Sequence, residues 1–496
     1  MHTPSGSRAP GGRRAPAAAA AIAVALAAAA GPAARSPSAD AGAAAGASSG
    51  TSAVVAAAPA VRFTAFVWSG AVTATSARVT ARLTGDAAAV RLLYADNPGL
   101  AGARATAPLA VRQAERGHRN VTFDLADLAP RTRYHYALEI DGVRADEHHG
   151  RFTTFAAGAQ PLRVALGACA DTGSENGVFA AILQQAPDLF IHLGDLHYDA
   201  IETPKALTQA RAAYGAVLAS PRQAELFRST PIAYVWDDHD YGSDNGDRNA
   251  PTRAAVRQAY VENVPHYPFA APGDGPIHQA FSAGRVRFVL TDLRSDRSPI
   301  ALPDDGAKSM LGPAQKAWLK AELRAAAASH ALVVWVNTVP WIVREVEASD
   351  RWNGYTTERA ELAAFIARER LTNVVMVSGD AHMLAIDDGT HSDFAPGGGA
   401  PIPVFHVAAL DRPGSVKGGP YTLGPFPNRT ADDGRNDGQF GLMEVDDDGG
   451  ASVCLTWTGY RKPHDRNALA ALLRWRRCFV VRSALTDWLA LPLAVR

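Results

Sequence analysis

From Val61 to about Phe155 the chain alternates apolar and polar positions with a period of two. Ala77-Arg78-Val79-Thr80-Ala81-Arg82-Leu83, Ala89-Val90-Arg91-Leu92-Leu93-Tyr94 and Arg133-Tyr134-His135-Tyr136-Ala137-Leu138-Glu139-Ile140 each place their apolar members on one face of an extended chain. That predicts half-buried strands in a small all-β sandwich over residues 60–156. Past Gln160 the texture changes to unbroken apolar runs: Leu162 to Gly167, Leu189 to Leu193, Ile232 to Trp236, Val286 to Thr291, Leu332 to Val336 and Val374 to Ser378. Helical stretches such as Pro313 to Ala327 and Thr357 to Arg370 separate them, and a late hairpin spans Gly441 to Val445 and Ser452 to Trp457. Continuous apolar strands alternating with helices predict sheet covered on both faces, an α/β layered domain over residues 161–460.

Leu128-Ala129-Pro130-Arg131-Thr132-Arg133-Tyr134-His135-Tyr136 resembles the tyrosine corner of fibronectin type III and immunoglobulin-like domains, where a tyrosine hydroxyl anchors the turn entering a strand. A structural role is expected for this region. Ahead of it, Arg8, Arg13 and Arg14 precede an alanine-rich run from Ala17 to Ala30. The order of basic, apolar and small residues predicts an export signal over residues 1–31, and the adjacent arginines point to the twin-arginine route; a plain Ala/Gly/Pro tail is the alternative. Residues 32–59 hold hardly any large apolar side chain and read as a linker. No other stretch approaches the roughly 20 apolar residues of a membrane span. The C-terminal extension, 461–496, contains Arg474-Trp475-Arg476-Arg477 and reads as an amphipathic helix.

With 49 basic and 49 acidic residues among 496, the chain has no overall field favouring nucleic acid, and no nucleic-acid surface is expected. A monomer acting on a small molecule is the expectation. Three cysteines are too few for a disulfide scaffold; Cys454 and Cys478 could pair, whereas Cys169 stands alone.

Polar residues recur where the apolar runs of 161–460 end. Cys169 and Asp171 follow the first, Gly194-Asp195-Leu196-His197-Tyr198-Asp199 the second and Asp237-Asp238-His239-Asp240-Tyr241-Gly242 the third. Leu332 to Val336 leads into Asn337, and Val374 to Ser378 into Gly379-Asp380-Ala381-His382. The carboxyl ends of strands line up along one rim, so these groups can converge. Crowded carboxylates oppose joint ionisation unless cations neutralise them, so the set predicts metal, with Asp195 as a carboxylate able to bridge two ions. Singly, each has a bland reading: Cys169 as a small buried hydrophobe, Tyr198 as a half-buried aromatic, Asp195 and Asp380 as turn residues. The weight lies in their coincidence at five strand ends.

Gly194-Asp195 with Tyr198 three places on, Asp238-His239-Asp240 and Gly379-Asp380-x-His382 resemble the calcineurin-like metallophosphoesterase plan. Trp236-Asp237-Asp238-His239-Asp240-Tyr241-Gly242 with Cys169 and Tyr198 is similar to the alkaline phosphatase D branch, as are Asp292-Leu293-Arg294-Ser295 and Gln439-Phe440-Gly441-Leu442. The resemblance implies an α/β/β/α metallophosphatase sandwich. It implies iron(III) on Cys169, Asp195, Tyr198 and His382, and calcium on Asp195, Asp238, Asn337 and Asp380, with manganese, magnesium or zinc as alternatives at the second site. It further implies an exported hydrolase of phosphomonoesters or phosphodiesters, working by in-line attack of a metal-activated hydroxide. His239 is the candidate general acid, Asp240 a residue that could orient its ring, and Arg294 either a phosphate clamp or a structural ion-pair partner. His197, Asp199 and Asp171 are expected as neighbours that hydrogen-bond the ligands, and His266 and His406 as structural. Phospholipase D-like or nucleotide diesterase activity, and a binding protein without catalysis, are the competing readings.

Overall fold

Leu162–Gly167, Leu189–His192 and Ile232–Tyr234 lie side by side as parallel strands. Val286–Leu290, Leu332–Asn337 and Val374–Ser378 form the parallel centre of a second sheet. The computed structural model that shows this describes residues 63–84, 87–111, 119–343 and 349–481. The expected export signal and linker lie outside the described residues. The second sheet also takes up strands the sequence pattern did not reveal: Gln279–Ala283 at one edge, Val404–Val407, Met383–Asp387 and Leu423–Pro427 towards the other.

Successive residues of the second sheet belong to different cores. Val334, Val336, Val375, Val377, Leu384 and Phe405 pack with the first sheet's Leu166, Phe190 and Ile191. Their neighbours Val333, Trp335, Val374, Met376, Met383 and Val404 pack with Leu319 and Leu323 of the helix Gly312–Ser329 and with Leu362 and Phe365 of the helix Thr356–Arg368. Strands buried on both faces need apolar residues at every position, and this explains the unbroken runs. Pro313 sits in the first turn of its helix, where a missing N–H leaves no bond unmade. The overall class is mixed α/β with several sheets. No described helix is long and apolar enough to cross a membrane.

The region expected as a separate sandwich divides between two sheets. Phe63–Gly70, Ala77–Thr84 and Arg119–Leu125 extend the first sheet, because Gly70 pairs in parallel with Ile232. Ala89–Ala95, Arg133–Ile140 and Val143–Thr153 form another antiparallel ladder with two short flanking strands. Tyr134 accepts a hydrogen bond at its hydroxyl from the Ala129 N–H at 2.9 Å, the bond of a tyrosine corner.

The C-terminal reading is corrected. Ala470–Val480 is a strand, and with Ser452–Lys462 and Gly438–Asp446 it carries the first sheet on to an edge. Leu473 and Phe479 turn inward and Trp475 packs on Phe405, while Arg474 and Arg476 are exposed. Arginines along an edge strand discourage pairing with a second chain. Cys454 and Cys478 face each other in this ladder and form a disulfide across 24 residues. Closing a loop of that size stabilises a chain by about 3 kcal/mol. The Cys454→Ser/Cys478→Ser double variant is therefore expected to unfold at lower denaturant, by about 2–4 kcal/mol. Reductant should lower wild-type stability by the same amount and leave the variant unmoved; equal denaturation midpoints in all three cases would contradict the assignment.

Candidate metal centre

The loops that leave the strand ends are built around two glycines. Gly194 has φ +94, and a Cβ there would lie 2.4 Å from the Asp237 Cβ, so only glycine lets the second loop lie against the third. A Cβ on Gly379 would be 3.0 Å from the Leu193 carbonyl oxygen and 3.1 Å from the Ala168 Cβ and the Thr338 oxygen. Gly379 is thus where the rims of the two sheets touch. The residues beside these glycines adopt the left-handed backbone region: Cys169 (φ +62), Asp195 (+54), Asp380 (+58) and His382 (+48). Such a conformation costs a non-glycine residue about 1–3 kcal/mol, and its repetition at four candidate ligands marks a functional cluster.

Asp195 stands at the middle. Its Oδ2 accepts from the Cys169 thiol at 3.4 Å and from the Tyr198 hydroxyl at 2.9 Å, and that hydroxyl lies 3.1 Å from His382 Nε2. His382 Nδ1 is 2.8 Å from the Pro413 carbonyl, which fixes the ring with Nδ1 protonated and leaves the Nε2 lone pair turned to the cluster. Burial pushes His382 down to about 4. Among the described His, Cys, Asp and Glu residues, metal-ligating atoms converge in two groups, Cys169, Asp195 and His382 in one, and Asp195, Asp238 and His239 in the other. Asp195 belongs to both, as a bridging carboxylate would. Burial, then the charges of Asp238, Asp237, Asp240 and Asp380, push its ionisation well above the usual carboxylate range. Burial and the Asp195 and Asp380 charges likewise raise the Cys169 thiol. Thiol, phenol, imidazole and shared carboxylate meeting around an electrostatic deficit of positive charge fit a metal site, since a cation removes that deficit.

Other candidates take different places. Asp238 Oδ1 accepts from the His239 N–H and Oδ2 from the Asn245 N–H. Against the cost of burial, Arg294, His239 and that amide hold it down to about 2. Asp380 pairs through Oδ1 with Lys417, while its Oδ2 is buried without a partner; burial, opposed by Lys417, puts it at about 6. Asn337 is fully buried at the end of its strand. Its amide oxygen accepts from the Trp352 indole at 2.9 Å and its nitrogen donates to the Val339 carbonyl and Ser378. An indole N–H can only donate, so it dictates which way the amide faces.

Asp240 is corrected too: its carboxylate does not orient the His239 ring. It closes a capping box over the short helix Asp238–Tyr241 and accepts from the N–H groups of Asp237, Asp195 and Leu196 at 3.0, 2.6 and 2.8 Å. One carboxylate thereby locks the second and third loops together. The carboxylate nearest the His239 ring is Asp244, 3.9 Å from Nε2. His239 itself packs on the Tyr198 ring at 4.1 Å and stays partly exposed. For Arg294 the ion-pair reading describes what is seen. It is 0% exposed, its Nε donates to Asp237 Oδ1 at 2.5 Å, and Asp350 and Asp238 lie at 3.5 and 3.8 Å.

His197 is buried against Tyr214, 4.0 Å from Asp240, and Asp199 is exposed. His266 stacks on Phe269 and His406 is buried beside Tyr421, both far in role from the cluster. Asp237, Arg412 and Lys417 escaped the sequence reading as site residues. Arg412 lies 3.8 Å over the Tyr198 ring and pairs with Asp171. Both basic residues follow the strand Val404–Val407; had that strand been recognised, the strand-end rule would have pointed to them.

A family model described as PhoD-like phosphatase matches residues 164–419. Alkaline phosphatase D of Bacillus subtilis (strain 168) is 25% identical over 256 residues, which make up 42% of this chain and 44% of that protein, so the chain spans less than half the length of this curated relative. Among solved structures, one of PhoD superposes with a TM-score of 0.67 at 16% identity, covering 84% of this chain and 90% of that one. A purple acid phosphatase isolated from yellow lupin (Lupinus luteus) seeds superposes with a TM-score of 0.52 at 12% identity, covering 83% and 73%. At these identities the two structures establish a shared fold.

Removing one partner of a buried ion pair leaves an uncompensated charge and costs about 3–5 kcal/mol. Arg294→Ala is therefore expected to lower stability by that amount in denaturant unfolding. A variant that unfolds like the wild type and loses only affinity for phosphate would return Arg294 to the clamp role.

Proposed function

We propose that this chain, which belongs to the PhoD-like phosphatase family, is a metal-dependent phosphoesterase that hydrolyses phosphomonoesters, phosphodiesters or both outside the cytoplasm. The observation that carries the reading is Asp195, shared between two groups of converging ligand atoms at the rim where two sheets meet. Cys169, Asp195, Tyr198 and His382 would hold iron(III), for which thiolate and phenolate are fitting anionic donors. Asp195, Asp238, Asn337 and Asp380 would hold the second ion, and oxygen donors favour calcium there. When bound, the two ions supply Lewis-acid charge for the phosphate oxygens and make water a better nucleophile at neutral pH.

The chain's own residues supply the remainder. Asp195 and Asp238 would hold the ions that face the phosphate, and Asp240 keeps their loops in register through three backbone amides. Water adds to phosphorus as the ester P–O bond breaks. The departing oxygen needs a proton, and His239 is the partly exposed titratable group beside both Asp195 and Asp238. In its imidazolium form the ring donates that proton and is reprotonated from solvent, which also takes up the proton released by the attacking water. The Cys454–Cys478 disulfide supports the exported reading, because such bonds persist in oxidising compartments.

His239→Ala is expected to lower kcat by about 10²–10⁴ with metal content unchanged. Asp195→Asn should lose activity and metal together, read by elemental analysis. The loaded protein should be coloured by charge transfer from thiolate or phenolate to iron(III). Full activity in both variants would overturn the reading, and a colourless active enzyme loaded with zinc would overturn the iron assignment alone.

A further inference from the structure

Three cations, Arg294, Lys417 and Arg412, flank the centre, and they are differently placed to meet an anion. Arg294 is enclosed by Asp237, Asp238 and Asp350. Lys417 is tied to Asp380. Lys417 is 34% exposed, but its partner Asp380 is a buried carboxylate of the centre itself, whereas the partner of Arg412 is Asp171, which is 45% exposed and free to be hydrated. The Arg412 side chain is 32% exposed, and its guanidinium lies 3.8 Å from the Tyr198 ring centre. With His239 4.1 Å from the same centre, the two must take opposite faces of the tyrosine, whose hydroxyl reaches Asp195 and His382. The Arg412 Nε–H is buried with no acceptor, an unused donor beside the cluster. Such a donor is costly to leave unpaired, so an incoming oxygen gains from it.

Resting on the phosphoesterase reading, we propose that Arg412 is the substrate-binding cation of this site: its guanidinium donates two parallel hydrogen bonds to non-bridging oxygens of the phosphoryl group, and Asp171 holds it in waiting. Stacking on Tyr198 keeps the guanidinium plane beside the cluster and leaves its edge, where the donors are, free to turn. Asp171 is 45% exposed and lines an open cleft of about 860 Å³. Its carboxylate remains hydrated when Arg412 turns away, so the exchange of partners costs little. This gives Arg412 the phosphate-gripping role that the sequence alone had offered to Arg294.

The experiment measures binding of inorganic phosphate to the metal-loaded full chain by calorimetry, with metal content checked in each variant. Arg412→Ala should weaken phosphate roughly tenfold to hundredfold, the worth of charge-assisted hydrogen bonds. Arg412→Lys should recover part of the loss through its charge. Asp171→Asn should leave affinity unchanged or tighten it by up to about fivefold, because it removes a competitor. A merely structural ion pair predicts instead that Arg412→Ala and Asp171→Asn weaken binding alike, and that result overturns the inference. So does wild-type affinity in Arg412→Ala, loss of metal from it, or a wild-type protein that binds no phosphate. Because binding is read without turnover, a wild type that binds phosphate through Arg412 yet hydrolyses no ester would sink the phosphoesterase reading and leave the role of Arg412 standing.

Discussion

Five buried aspartates meet at the rim, and how each is neutralised decides the rest of the site. Asp237 has Arg294, Asp380 has Lys417, Asp240 has three backbone amides, and Asp238 has two amides with Arg294 nearby. Asp195 has a thiol, a phenol and one long amide contact at 3.3 Å, and no cation of its own. Neutral donors do not offset the desolvation of a carboxylate with four like charges around it. The missing positive charge is therefore localised at Asp195, between the two groups of ligand atoms. A fold that cancelled every charge internally would have no use for a metal; this rim sets two cations, Arg294 and Lys417, against five carboxylates.

Holding that arrangement requires backbone conformations that the chain would avoid elsewhere. Cys169, Asp195, Asp380 and His382 are left-handed because the chain must turn sharply as each strand ends and present its side chain back towards the rim. Cross-links hold the turns. Cys169 N–H donates to Gly194 and Ala170 N–H to Asp195, while Ser415 and Asn428 donate to the His382 carbonyl. Each strained loop is thus bonded to another one. Strain and burial together give a preformed site whose donors need little reordering when an ion arrives.

How much of this could be read beforehand follows from how local each cause is. Strands such as Leu332–Asn337 were legible because burial on both faces writes an apolar residue at every position, and the acids after them stood out as interruptions. The strand Ala470–Val480 was misread because Arg477 breaks its alternation; its guanidinium covers Phe479, and the ladder to Ser452–Lys462 fixes the conformation. Arg412 and Lys417 were invisible for a related reason: their loop is placed by bonds to His382, some thirty residues away in sequence. Asn337 shows what pattern alone leaves out. Its position at a strand end made it a candidate, and Trp352 orients the amide, yet no pattern around residue 337 announces that tryptophan.

The N-terminal strands are part of this machinery. Phe63–Gly70 pairs with Ile232–Tyr234, the strand that delivers Asp237, Asp238, His239 and Asp240 to the rim. A Cβ at Gly70 would lie 2.6 Å from the Ile232 carbonyl oxygen and 2.3 Å from that of Pro265, so the approach is as close as a backbone allows. Around this contact Trp68 donates to the Asn263 carbonyl, and Arg82 and Asn120 both donate to the Asn263 side-chain oxygen. These are buried, mutually satisfied polar groups, and such networks fix one arrangement because any slip leaves a group unpaired. The third site strand has only three residues of its own ladder with Leu189–His192 on its other side. Its position is therefore set as much by Asn263 and the N-terminal strands as by the sheet it belongs to, and the His239 loop inherits its placement from residues about 170 positions earlier in the chain.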